Sequence, residues 1–93
     1  MQNKERKYAY PAIFKKYEDG RYTASFVDFE NFYYAEADNL VDILERAEGL
    51  LCMFTHLHEM TGLDFPEPTP LEEVDAEEDE FASFVFVNLS MYF

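Results

Sequence analysis

The chain has 93 residues, 48% of them apolar and 18% aromatic, and a net charge of −13. That length makes one domain, and the apolar and aromatic content is too rich for a disordered chain. The charge disfavours direct binding to a nucleic-acid backbone and favours a basic partner.

The charge is unevenly spread. Residues 1–16 carry Lys4, Arg6, Lys7, Lys15 and Lys16 against Glu5, whereas the rest sets Arg21 and Arg46 against 19 acids. Such acidity also serves solubility. Cys52 is alone, so neither an internal disulfide nor a cysteine zinc cluster can form. It falls mid-helix, where a free Cys acts as a small buried hydrophobe. The polar, basic start lacks a signal-peptide pattern. No apolar run reaches the roughly 20 residues that span a bilayer. The expectation is a cytoplasmic protein without membrane or direct nucleic-acid contacts.

Residues 1–7 are polar and expected to be flexible. Tyr8 to Lys16 reads as a strand, with Tyr10, Ala12 and Phe14 alternating against Pro11, Ile13 and Lys15. Pro11 lacks an N–H and favours an edge strand or the start of a paired region. Glu18-Asp19-Gly20 is a turn, and Arg21 to Val27 returns as the second strand of a hairpin. Asp28 to Asn31 breaks the pattern. Phe32 to Ala37 is the third strand. Asp38 or Asn39 caps the next helix, and Asn39 with Asp42 approximates a capping box.

Leu40 to Thr61 is the one long helical segment. Leu40, Ile43, Leu44, Ala47, Leu50, Leu51, Phe54 and Leu57 form its apolar stripe. Asp42, Glu45, Arg46, Glu48, His56 and Glu59 fall mostly opposite. Gly62 suits the left-handed position that ends it. Residues 63–80 are a proline-rich, acidic connection: Pro66, Pro68 and Pro70 force extended chain, and Glu72, Glu73, Asp75, Glu77, Glu78, Asp79 and Glu80 follow, in a helical turn or open chain. Phe81 to Leu89 is the last strand. It is apolar on both faces at Phe84 to Val87, as if covered by the helix and by a partner. The crossover from the third strand is right-handed if the third and fourth strands are parallel. The apolar end, Met91-Tyr92-Phe93, is expected to be tucked in.

Chemistry is sparse. His56 and Glu59 could share a metal, but His56 and His58 point apart on a helix and do not make the helical zinc pair. Asp28, Glu30 and Asp38 could hold magnesium, yet each also suits a turn or cap. The three glycines make no phosphate loop, and no nucleophile set has local support. No catalytic, cofactor or metal residue is assigned, and no enzyme is expected.

The order of motifs resembles a HicB-type antitoxin. Tyr10-Pro11-Ala12-Ile13-Phe14, the turn at Glu18-Asp19-Gly20, and Arg21 through Phe29 resemble the family's opening. Ala37-Asp38-Asn39-Leu40 resembles its helix entry, and Phe84 to Tyr92 its closing strand. The resemblance implies an α+β fold in the order β-β-β-α-β, a degenerate ribonuclease-H-like sheet with one long helix packed on it. Many proteins of that family also carry a C-terminal DNA-binding part; here a single domain over residues 1–93 without that part is expected. The resemblance further implies a protein that neutralises a small basic, HicA-like mRNA interferase by covering its RNA surface. The candidate partner-binding residues are the acids Glu72, Glu73, Asp75, Glu77, Glu78, Asp79 and Glu80 with Phe84, Phe86 and Tyr33. A homodimer or higher homo-oligomer is expected. The alternatives are an orphan domain that only self-associates and a metal-dependent nuclease.

Overall fold

A computed structural model describes residues 6–29 and 33–92. The fold is α+β in the expected order: strands β1 (Lys7–Lys16), β2 (Tyr22–Phe26) and β3 (Ala35–Ala37), helix α1 (Leu40–Thr61), then strand β4 (Glu80–Asn88). The four strands make one antiparallel sheet in the order β3-β2-β1-β4. β3 and β4 therefore lie on opposite edges and run antiparallel, so no parallel crossover arises.

Local chemistry sets the turns. Gly20 takes φ 95° in the hairpin, where a Cβ would be strained. Asp19 accepts the Arg21 backbone N–H at 3.0 Å and its Nε at 2.9 Å. Arg21 then reaches Glu36 of β3 at 3.0 Å, which ties the hairpin to the third strand. Asn39 is the N-cap: its Oδ1 accepts the Asp42 N–H at 2.9 Å. Gly62 ends the helix at φ 73°.

Pro11 does not mark an edge. It sits within β1, which is paired on both sides. Its carbonyl accepts from Val27 on the β2 side, so its nitrogen also faces β2, just where that ladder runs out. The missing N–H thus costs no bond on the β4 side.

The core lies between α1 and one sheet face. Tyr10, Ala12 and Phe14 of β1 meet Ala24 and Phe26 of β2, Ala37 of β3, and Val85 and Val87 of β4. The helix contributes Ile43, Ala47, Leu51, Cys52, Phe54 and Thr55. The expected stripe is corrected at Leu40, Leu44 and Leu57, which are exposed. The sheet is narrow, and only the arc through Ile43, Ala47, Leu51 and Phe54 meets it. Thr55 is buried at no polar cost because its hydroxyl donates to the Leu51 carbonyl at 2.8 Å.

The third strand and the C-terminal end differ from expectation. The third strand shrinks to Ala35–Ala37; Tyr33 and Tyr34 are irregular and exposed, and Phe32 lies outside the described residues. β4 meets the helix on one face, and the 3-10 turn Leu71–Glu73 adjoins it. On the other face Phe84 is half-buried while Phe86 is 68% exposed, as in a strand that takes a partner there. Met91 and Tyr92 are exposed rather than tucked in, following a 3-10 turn at Leu89–Met91; Phe93 is outside the described residues.

The connection from the helix to β4 is pinned in three places. Phe65 stacks on Tyr8 at 4.6 Å. The Tyr10 hydroxyl donates to the Pro66 carbonyl at 2.7 Å. Thr69 donates to Asp28 through both its backbone N–H and its hydroxyl. A short 3-10 turn, Leu71–Glu73, follows. Of the residues expected to be flexible, Arg6 and Lys7 are described: Lys7 opens β1, and Arg6 pairs with Glu59 at 2.6 Å.

Candidate partner-binding surfaces

The acidic run lies on the surface between the proline segment and β4. Glu72, Glu73, Asp75, Glu77, Glu78 and Asp79 are all exposed, and Glu80 is half-buried. Prolines before the run and the ladder bond from the Lys16 N–H to the Asp79 carbonyl after it fix its two ends. Among the described residues no cation pairs with Glu72, Glu73, Asp75, Glu77 or Glu78. Their charge faces water and is available to a basic partner.

Near β4 the run closes on itself. Carboxylate oxygens of Glu77, Asp79 and Glu80 lie within 4.8 Å of one another. Lys15 sits 3.7 Å from Asp79, and Glu80 accepts the Glu77 backbone N–H at 2.9 Å. These contacts give two of the three carboxylates a structural role in the turn that starts β4.

The aromatic candidates fall on opposite sides of the sheet. Even-numbered β4 residues point away from the helix, so Phe84 and Phe86 share the open face, their rings 6.2 Å apart. Tyr33 lies on the helix side, its ring 6.4 Å from that of Phe54. The sheet therefore separates Tyr33 from Phe84 and Phe86. The three aromatics do not form one patch, whereas the 3-10 turn that carries Glu72 and Glu73 adjoins β4.

A second apolar surface was not anticipated. The exposed Gly49, Met53 and Leu57 of α1, with the half-buried His56 and the buried Cys52, form a groove with Tyr92. Leu57, expected in the core stripe, is one of its exposed lining residues. Burial raises the Cys52 thiol pKa, which disfavours the nucleophilic thiolate. His58 turns inward, its ring 5.4 Å from Phe29 and 5.3 Å from Phe65. His56 and His58 thus face different surroundings.

The carboxylates considered for magnesium are also placed apart. Asp28 is occupied by Thr69, and Asp38 is exposed just before the helix cap; Glu30 lies outside the described residues. Glu59 is held charged, its pKa lowered first by the Arg6 hydrogen bond and then by that from Tyr8, against partial burial. The Tyr8 phenol is pushed up to about 12 by burial and by the neighbouring Glu59. This cluster joins the start of β1 to the last turns of α1, a structural task. No helix among the described residues is long and apolar enough to cross a membrane.

No family model and no curated protein matches the sequence. The fold does match a solved chain described as "Toxin-Antitoxin complex from Streptococcus pneumoniae". The identity is 20%, the TM-score is 0.80, and the alignment covers 92% of this chain and 72% of that one. At that identity the likeness speaks for a shared fold over nearly the whole chain.

Proposed function

We propose that this chain is a HicB-like antitoxin: a cytoplasmic, non-catalytic binding protein that neutralises a small basic mRNA interferase by covering its RNA surface. The observation that carries the reading is the fold shared with a chain of a toxin–antitoxin complex over 92% of the present sequence. The exposed acids Glu72, Glu73, Asp75, Glu77 and Glu78 support it, because a toxin that grips RNA must present cations. Complementary fields of this kind speed encounter and reject wrong partners. The capture of Asp28 by Thr69 supports a binding role over a nuclease, since that carboxylate already holds the chain together.

Co-expression with a small basic protein encoded beside this chain tests the reading. The expected result is co-purification of the pair and loss of RNA cleavage by the toxin once the chain is in excess. Undiminished cleavage with no co-purification contradicts it.

A further inference from the structure

We propose that β4 is a self-pairing edge, through which two copies join antiparallel about a two-fold axis into one continuous sheet. The proposal does not depend on the antitoxin reading.

Lys16 donates to Asp79, and Leu89 donates to Arg6. In this register Phe81, Ser83, Val85 and Val87 direct their backbone groups toward β1. The alternate residues Ala82, Phe84, Phe86 and Asn88 direct theirs outward. β4 has β1 as its one strand neighbour, so among the described residues these outward N–H and C=O groups have no strand partner. The same residues carry the side chains of the open face, where Phe84 is half-buried and Phe86 is 68% exposed. Unpaired backbone and one uncovered aromatic, Phe86, therefore coincide.

Edge strands are normally blunted by lysine, proline, a bulge or short length. β4 has nine residues and, after Glu80, none of these. Residues 81–93 contain no charged side chain at all, in a chain of net charge −13. That composition decides the occupant. A basic partner is drawn to the acids, whereas a second copy, itself strongly acidic, meets least repulsion on this acid-free strip. A two-fold arrangement is also self-complementary by construction. Setting Phe84 opposite Phe84 pairs Ala82 with Phe86 of the second copy and gathers the Phe side chains on one face. It places Glu80 opposite Asn88 of the second copy, whose β1 neighbour is Lys7, so opposite charges approach at both ends.

Sedimentation of the purified chain alone, with amide hydrogen exchange on the same sample, tests this. The expected result is a dimer in which the amides of Ala82, Phe84 and Phe86 exchange slowly, and which tightens as salt screens the mutual repulsion. Phe86→Lys, at a solvent-facing position, should raise the dimer dissociation constant by roughly thirtyfold or more. Met60→Lys on the outer helix face should leave it unchanged. A monomer at all accessible concentrations overturns the proposal. So does a dimer in which those amides exchange rapidly, or one that Phe86→Lys leaves intact. Protection of those amides only on adding a basic partner also overturns it and assigns the edge to that partner. Should Phe86→Lys fail to fold, the exchange pattern of the unaltered chain decides alone.

Discussion

Thr69 donates twice to Asp28: its backbone N–H reaches Oδ2 at 3.0 Å and its hydroxyl reaches Oδ1 at 2.6 Å. One carboxylate thereby holds two segments 41 residues apart in sequence, the turn after β2 and the proline run. The tie is one of the anchors of the segment that leads to the acids after Pro70. Asp28→Ala removes both acceptors, and charged hydrogen bonds of this kind contribute about 1.5 kcal/mol or more each. The variant should remain folded, with residues 63–79 more open to proteolysis. An unchanged cleavage pattern would mean that the stacking of Phe65 on Tyr8 and the Tyr10–Pro66 bond suffice.

The helix start is set by Asn39, whose side chain takes the Asp42 N–H and donates Nδ2 to the Asp42 carboxylate. Asn39→Ala should cost about 1 kcal/mol, read by urea unfolding. Asn39→Ser should restore most of that loss, because a hydroxyl also caps. Equal losses in both variants would argue against capping.

Phe14 is fully buried and stacks on Phe81 with ring centroids 5.0 Å apart. Phe14→Ala leaves a cavity between β1 and β4 and should cost about 3–5 kcal/mol. A marginal domain of this size has little more than that to lose, so the variant should be largely unfolded at room temperature by circular dichroism. A loss under about 1 kcal/mol would mean that the site collapses to fill the space.

Glu59 accepts from Arg6 and from the Tyr8 hydroxyl at 2.8 Å. Its pKa is lowered on folding. A lowered carboxylate contributes stability that is fully present above its unfolded pKa and lost as pH falls through the folded one. Glu59→Gln should therefore lower stability at neutral pH and flatten the decline on the acid side. Parallel acid limbs for the two proteins would show that Glu59 does not drive it.

The parts of this fold legible in the sequence are those governed by neighbouring residues. Asn39 and Gly62 bracket α1 because capping and the left-handed turn are local events, and Asp19-Gly20 marks the hairpin for the same reason. What stayed hidden depends on partners far along the chain. Glu59 sits where a helical wheel puts solvent, yet Arg6, 53 residues away, claims it. Leu44 and Leu57 look like core residues until the narrow sheet selects which arc of the helix it covers. Nothing local says that β4 pairs antiparallel with β1 and so lies opposite β3. The acidic run was readable as exposed charge; that the sheet divides Tyr33 from Phe84 and Phe86 was not.

Binding of the basic toxin, followed as salt rises, tests the antitoxin account most directly. Titration at about 50 mM and about 200 mM salt spans a clear change in screening length. The account predicts tight binding that weakens with salt, and loss of much of that salt dependence when Glu77, Glu78 and Asp79 are together reversed to Lys. Affinity and salt dependence unchanged by the triple reversal would contradict the acidic run as the contact, and no binding at either salt would contradict the antitoxin role itself.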